Sequence, residues 1–150
     1  MMALMKEWSG GKYAPLTFEA KTSSVVYPSD SQRQAGLFLS GGIDALAALR
    51  INNKVYPKEL PGHVKDCLLV HGFDIGGVIE RGMKYHVFDR AKAALSWVAE
   101  DAEVNLIPVD TNIRHLCDER NLWLDKFFGA VLASVGYAFV TRLYMVYIAS

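Results

Sequence analysis

The stretch Gly36-Leu37-Phe38-Leu39-Ser40-Gly41-Gly42-Ile43-Asp44-Ala45-Leu46-Ala47-Ala48-Leu49-Arg50 compresses an apolar strand, a glycine turn and an apolar helix into one segment. Two adjacent glycines let the chain turn sharply and bring backbone N–H groups close to a ligand. The helix that follows points its positive N-terminal end into the same space. A phosphate or pyrophosphate is the natural guest of such a turn. Ser40 adds a hydroxyl, and Asp44 in the first helical turn can cap backbone amides or hold a magnesium ion that bridges phosphate oxygens. A second Ser-Gly-Gly, Ser9-Gly10-Gly11-Lys12, has no apolar strand before it and no helix after it. With Tyr13 following Lys12 it also fails the GxxxxGK[ST] phosphate loop, and it reads as a flexible loop.

Outward from this segment the pattern is a regular alternation. Strands are predicted at 36–39, about 67–70, about 104–109 and about 143–149, and helices at about 44–51, 87–100 and 123–140. Strands alternating with helices imply βαβ units and a parallel sheet with helices on both faces, a Rossmann-like α/β fold. Cys67-Leu68-Leu69-Val70 and Met145-Val146-Tyr147-Ile148 are apolar throughout, as strands covered on both faces should be. In the second helix Val87, Ala91, Ala94, Leu95 and Val98 recur at spacings of three and four, leaving Lys92, Ser96 and Glu100 off that face. In the third, Phe127, Phe128, Val131, Leu132 and Val135 read as core, and Gly129, Ala133 and Gly136 as a small-residue stripe for close packing on the sheet. Residues 1–34 are mixed in character, with 16–21 alternating like a half-exposed strand, and read as a leader or small hairpin ahead of a domain spanning 35–150. The connections 52–64 and 72–86 exceed the usual βα length.

Composition sets the bounds. With 150 residues, 51% of them hydrophobic, and zero formal net charge, the chain has the make-up of one domain with a real core. Balanced charge gives no long-range pull on nucleic acid or an anionic membrane. No apolar run approaches the ~18 residues of a membrane span, so a cytoplasmic protein acting on a small-molecule substrate is expected. Cys67 and Cys117 lack metal or disulfide spacing and read as free thiols, buried in the core.

In open parallel sheets, ligands bind beyond the carboxyl ends of the strands, where the strand order reverses. That rule selects Ser40 to Asp44 after the first strand, His71-Gly72-Phe73-Asp74 after the second, Asp110-Thr111-Asn112-Ile113-Arg114 after the third and Ser150 after the fourth. Asp74 and Asp110 are candidate magnesium or ribose-contacting carboxylates, and Arg114 a candidate partner for a phosphate or substrate carboxylate. The same residues also make a turn and capping sequence, with Arg114 paired to Asp118 or Glu119. His63, His86 and His115 read as loop or cap residues, since none has a recognisable ligand spacing.

Ser40-Gly41-Gly42-Ile43-Asp44 resembles the SGGxDS signature of the PP-loop ATP pyrophosphatases, the superfamily that includes the synthetase domain of asparagine synthetase. The closing serine is replaced by Ala45, which removes a phosphate contact worth roughly 1.5–3 kcal/mol. Further stretches around Val70-His71-Gly72, Val109-Asp110-Thr111 and Gly129-Ala130-Val131 extend the likeness over roughly residues 36–150, to an uncharacterised asparagine-synthetase-related branch. The resemblance implies a strand order 3-2-1-4, ATP and Mg2+ as cofactors, adenine beside Val70 and His71, and cleavage of ATP to AMP and pyrophosphate during activation of a carboxylate or carbonyl. The N-terminal catalytic cysteine of the glutamine-hydrolysing half has no counterpart in Met1-Met2-Ala3.

Two further expectations follow from Ala45 and from the apolar strand at the end of the chain. One is a non-catalytic nucleotide-binding or scaffold module, an alternative to the ligase. The other is that residues 35–150 form the N-terminal part of a longer domain, in which a further helix covers the last strand. Uncovered, that strand or the sheet edge is a route to a homo-oligomer.

Overall fold

A computed structural model of the chain describes residues 6–7, 9–14, 17, 19, 21, 24, 26–29, 33–116 and 119–149. Cys117, Asp118, Ser150 and half of the strand predicted at 16–21 lie outside the described residues.

Four short apolar runs form one sheet: β1 (Gln34–Phe38), β2 (Val64–His71), β3 (Asn105–Asp110) and β4 (Leu143–Tyr147). Their order is β3-β2-β1-β4, and all three pairings are parallel. Parallel neighbours need crossovers, and helices supply them. Helix α1 (Ile43–Val55) joins β1 to β2 and α2 (Tyr85–Asp101) joins β2 to β3. A helical turn (Arg120–Leu122), a π-helical segment (Trp123–Phe127) and α3 (Phe128–Ala138) bring the chain back to β4.

Because side chains alternate along a strand, each strand feeds two cores. Leu37, Leu39, Cys67 and Leu69 point to one face and pack with Ala45 and Leu49 of α1 and Phe88 and Leu95 of α2. Phe38 and Leu68 point to the other and pack with Trp123, Val131, Leu132 and Val135. The sheet is thus wound on both faces, as the alternation predicts. It reverses direction beside β1, since the chain steps outward through β2 to β3 and then returns to β4 on the opposite side.

The opposite, amino-terminal end of the sheet is fastened by a charge. Asp66, fully buried, accepts from Arg142 Nε at 2.6 Å, from Arg142 Nη2 at 2.8 Å and from Asn105 Nδ2 at 2.9 Å. Three chain segments meet on one carboxylate, and a buried charge is tolerated when it is paired and fully hydrogen-bonded in this way. Asp66 in turn holds the Arg142 guanidinium above its ordinary range, by hydrogen bonding and charge. Burial first, and the Asp66 charge second, push the neighbouring Cys67 thiol up to about 12. Cys67 is a buried free thiol, as its spacing implies.

Several sequence expectations are corrected. The face that α2 buries is Phe88, Leu95 and Ala99, while Ala94 is exposed. Phe88 occupies the position assigned to Val87 because it stacks on His71, at 4.7 Å between ring centroids. Phe127 is exposed rather than core. Of the two glycines in the small-residue stripe, Gly136 approaches the sheet, where an added Cβ would lie 3.5 Å from Val146, whereas a Cβ at Gly129 would meet nothing within 4 Å. β4 is half-buried after Leu143, as an edge strand is, and not covered on both faces. α1 runs one turn past Ile51 to Val55, which shortens the connection to β2. His63, read as a loop residue, is in the loop but buried, with Nδ1 3.0 Å from the Tyr56 carbonyl.

Candidate functional site

β1 ends at Phe38, and Leu39 N–H still donates to Leu68 O at 2.9 Å before the chain leaves the sheet. Gly41 then takes φ +82°, in the left-handed region where an L side chain is strained. This reversal sets Gly42, at φ −70° and ψ 157°, as the N-cap of α1 with no side-chain cap. Leu46 N–H to Gly42 O, 3.1 Å, is the first turn's bond. The amides of Ile43, Asp44 and Ala45 therefore have no acceptor within the helix. Ser40 is exposed, and its Oγ accepts from Gly42 N–H at 3.3 Å, which closes the turn on itself. Ile43 and Asp44 are exposed. The loop seats on α2: a Cβ at Gly41 would be 3.6 Å from Leu95.

The loop lies low in a notch. β1 pairs with β2 only as far as Phe38 opposite Leu68, while β2 runs on to His71, opposite Asp110 of β3. Val70 and His71 thus rise beside the loop as a wall. Ser40, Gly41, Gly42, Ile43 and Asp44 are brought together at the reversal of strand order, with β2 on one side and β4 on the other.

Ala45 corrects the sequence reading. It is 3% exposed and packs with Leu37, Leu39 and Leu49. The side chain at this position points into the core, so the substitution of serine by alanine removes no group from the surface of the loop.

The remaining candidates have other partners. His71 is fully buried, with Nδ1 donating to Asp110 Oδ1 at 2.7 Å and Nε2 against the Met83 carbonyl. Its imidazole stacks on Phe88 and meets a tilted Tyr85 ring at 5.0 Å between centroids. Val70 is half-buried and packs toward α3 with its side chain, leaving its backbone as the group beside the loop. Asp74 is exposed in the turn that follows β2. Arg114, for which a surface pairing with Asp118 or Glu119 is the alternative, folds inward, Asp118 lying outside the described residues. Its Nη1 donates to Phe73 O at 2.8 Å and its guanidinium lies 5.2 Å from the Trp123 ring. Asp110 is thus a partner of the last residue of β2, and Arg114 of the segment that follows it.

Among the described residues no three His, Cys, Asp or Glu side chains gather to hold a metal ion. Asp44 alone offers a carboxylate at the loop. A magnesium ion can use such a site, because it is commonly held by one or two carboxylates with the remaining ligands drawn from phosphates and water. Ser9-Gly10-Gly11 forms a separate turn, with Gly11 N–H on Lys6 O at 2.8 Å and Tyr13 N–H on Ser9 Oγ at 3.1 Å. No helix among the described residues is long and apolar enough to cross a membrane. No protein-family model, curated protein or solved structure matches the chain.

Proposed function

We propose that this chain is an ATP-binding protein of the PP-loop type, in which the 40–44 loop holds the pyrophosphate portion of ATP and the outcome is AMP-forming activation of a carboxylate or carbonyl substrate. One observation carries the reading. A two-glycine turn with an uncapped helix N-terminus stands at the reversal point of a doubly wound parallel sheet, and the Ile43, Asp44 and Ala45 amides have no acceptor within the helix. The strand order β3-β2-β1-β4 also agrees with what the resemblance implies.

In this reading the chain's own groups act by position and charge. The amides of Gly41, Ile43 and Asp44 and the α1 dipole hold phosphate oxygens as negative charge develops on the departing pyrophosphate. Asp44, exposed in the first turn of α1, would hold the Mg2+, which supplies charge neutralisation when bound. The backbone at Val70 and His71 forms the wall against which the adenine is set.

The second reading, a nucleotide-binding or scaffold module without turnover, is favoured by a separate observation. Asp110 and Arg114, the charged groups that would serve a transferring enzyme, are tied to His71 and to Phe73. One pair of assays separates the two: Mg·ATP binding by calorimetry, and pyrophosphate release across a panel of carboxylate acceptors. Acceptor-dependent release supports the enzyme, and binding without release supports the module. Asp44→Ala is expected to reduce magnesium-dependent binding sharply while Ser9→Ala leaves it unchanged. Equal losses from both, in folded proteins, contradict the assignment.

A further inference from the structure

A cleft of about 600 Å³ lies away from the 40–44 loop, between the first turns of α2 and the outer edge of β3. Its volume is that of a small-molecule site. Tyr85, Phe88, Asp89 and Lys92 enter it from α2, at helical spacings that put them on one side, and Pro108 and Asp110 enter from β3. Pro108 cannot donate a ladder hydrogen bond and so keeps a further strand off this edge, which leaves the cleft open.

Both of its carboxylates have hydrogen-bond donors. Lys92 Nζ is 3.2 Å from Asp89 Oδ1, and Asp110 Oδ1 is held at 2.7 Å by the buried His71. The carboxylate of Asp110 is thereby fixed in orientation from behind, with its side chain 68% exposed on the cleft side. Next to it Tyr85 is 61% exposed as a residue. Two carboxylates and one lysine in the lining disfavour an anionic ligand. They still offer fixed acceptors on the carboxylates and donors on Lys92, and bonds to ionised groups are the stronger kind. An exposed aromatic face beside them suits a ring with an apolar side.

We propose that this cleft is a second binding site, separate from the 40–44 loop, for a neutral hydroxyl-rich ring, a mono- or disaccharide whose vicinal hydroxyls donate to Asp110 and Asp89 while one ring face lies against Tyr85. The proposal does not depend on ATP binding.

The test is a titration of the whole chain, followed by amide chemical shifts, with glucose, galactose, mannose, maltose and cellobiose in turn, and separately with adenosine. At least one sugar is expected to bind in the millimolar range and to shift the amides of Tyr85, Asp89, Lys92 and Asn112 without shifting those of Gly41 to Asp44. Tyr85→Ala, at an exposed position, should weaken that sugar about tenfold, the equivalent of removing one good contact. Asp89→Asn provides an independent variant with the same expected direction. Three results overturn the proposal: no sugar shifts these amides, neither variant changes the affinity, or adenosine alone binds in the cleft.

Discussion

At position 41 the backbone, rather than the neighbours, demands glycine. A Cβ there would meet Leu95 at an ordinary 3.6 Å, but φ is +82°. Gly41→Ala should therefore cost about 1–2 kcal/mol, the penalty of a left-handed L residue, seen as a lower urea midpoint, and should weaken pyrophosphate binding through the altered turn. At position 45 the argument reverses. Because Ala45 is buried with Leu37 and Leu49, Ala45→Ser should not tighten pyrophosphate binding and should cost about 1–3 kcal/mol of stability as a buried hydroxyl. A clear gain in affinity would show that the side chain reaches the phosphates after all. Cys67 makes a prediction in pH. Its folded value of about 12 stands above the ordinary 9.0, so the unfolded chain loses this proton first as pH rises. Its contribution is fully present below pH 9.0 and is lost progressively toward pH 12. Urea midpoints of the wild type and Cys67→Ala, compared between neutral pH and pH 10, should converge at the alkaline end, and a constant difference would contradict the burial account.

Among the elements, the sheet is most exposed to damage at Asp66. Arg142→Ala should cost about 3 kcal/mol, since it leaves a buried carboxylate with Asn105 as its remaining side-chain partner. Asn105→Ala should cost about 1 kcal/mol, the worth of one hydrogen bond. Chemical denaturation of both variants checks the order, and equal losses would show that the carboxylate is not held mainly by the guanidinium. The strands and helices were legible because their apolar runs and three-and-four spacings are local signals. The faces were less so. The sequence places both Val87 and Phe88 near the apolar stripe of α2, and only the position of His71 decides that Phe88 turns inward. The inward fold of Arg114 depends in the same way on Phe73 and Trp123, whose places are set by contacts distant in sequence. No local pattern announces the π-helical stretch Trp123–Phe127 or the Asp66–Arg142 pair, which spans most of the domain.

For the whole molecule, topology does most to locate the site. Three parallel pairings in the order β3-β2-β1-β4 put the loop after β1 where successive crossovers diverge, and the shorter reach of β1 leaves that loop in a notch walled by β2. The place of that loop at the carboxyl end of an apolar strand could be anticipated from strand and helix alternation together with two glycines, whereas the strand order was implied by the PP-loop resemblance alone. The pairing of Asp110 with His71 and of Arg114 with Phe73 could not be anticipated, because it arises from side-chain contacts at the carboxyl end of the sheet and not from strand order. The account's central claim is that the Gly41, Ile43 and Asp44 amides bind the pyrophosphate portion of a nucleotide. Titration of the chain with pyrophosphate, with and without magnesium, followed by amide chemical shifts residue by residue, tests it most directly. The account predicts saturable shifts centred on Gly41, Gly42, Ile43 and Asp44, with Gly10 and Gly11 unmoved. Shifts absent from the 40–44 loop, or equal at the two Ser-Gly-Gly turns, would contradict it.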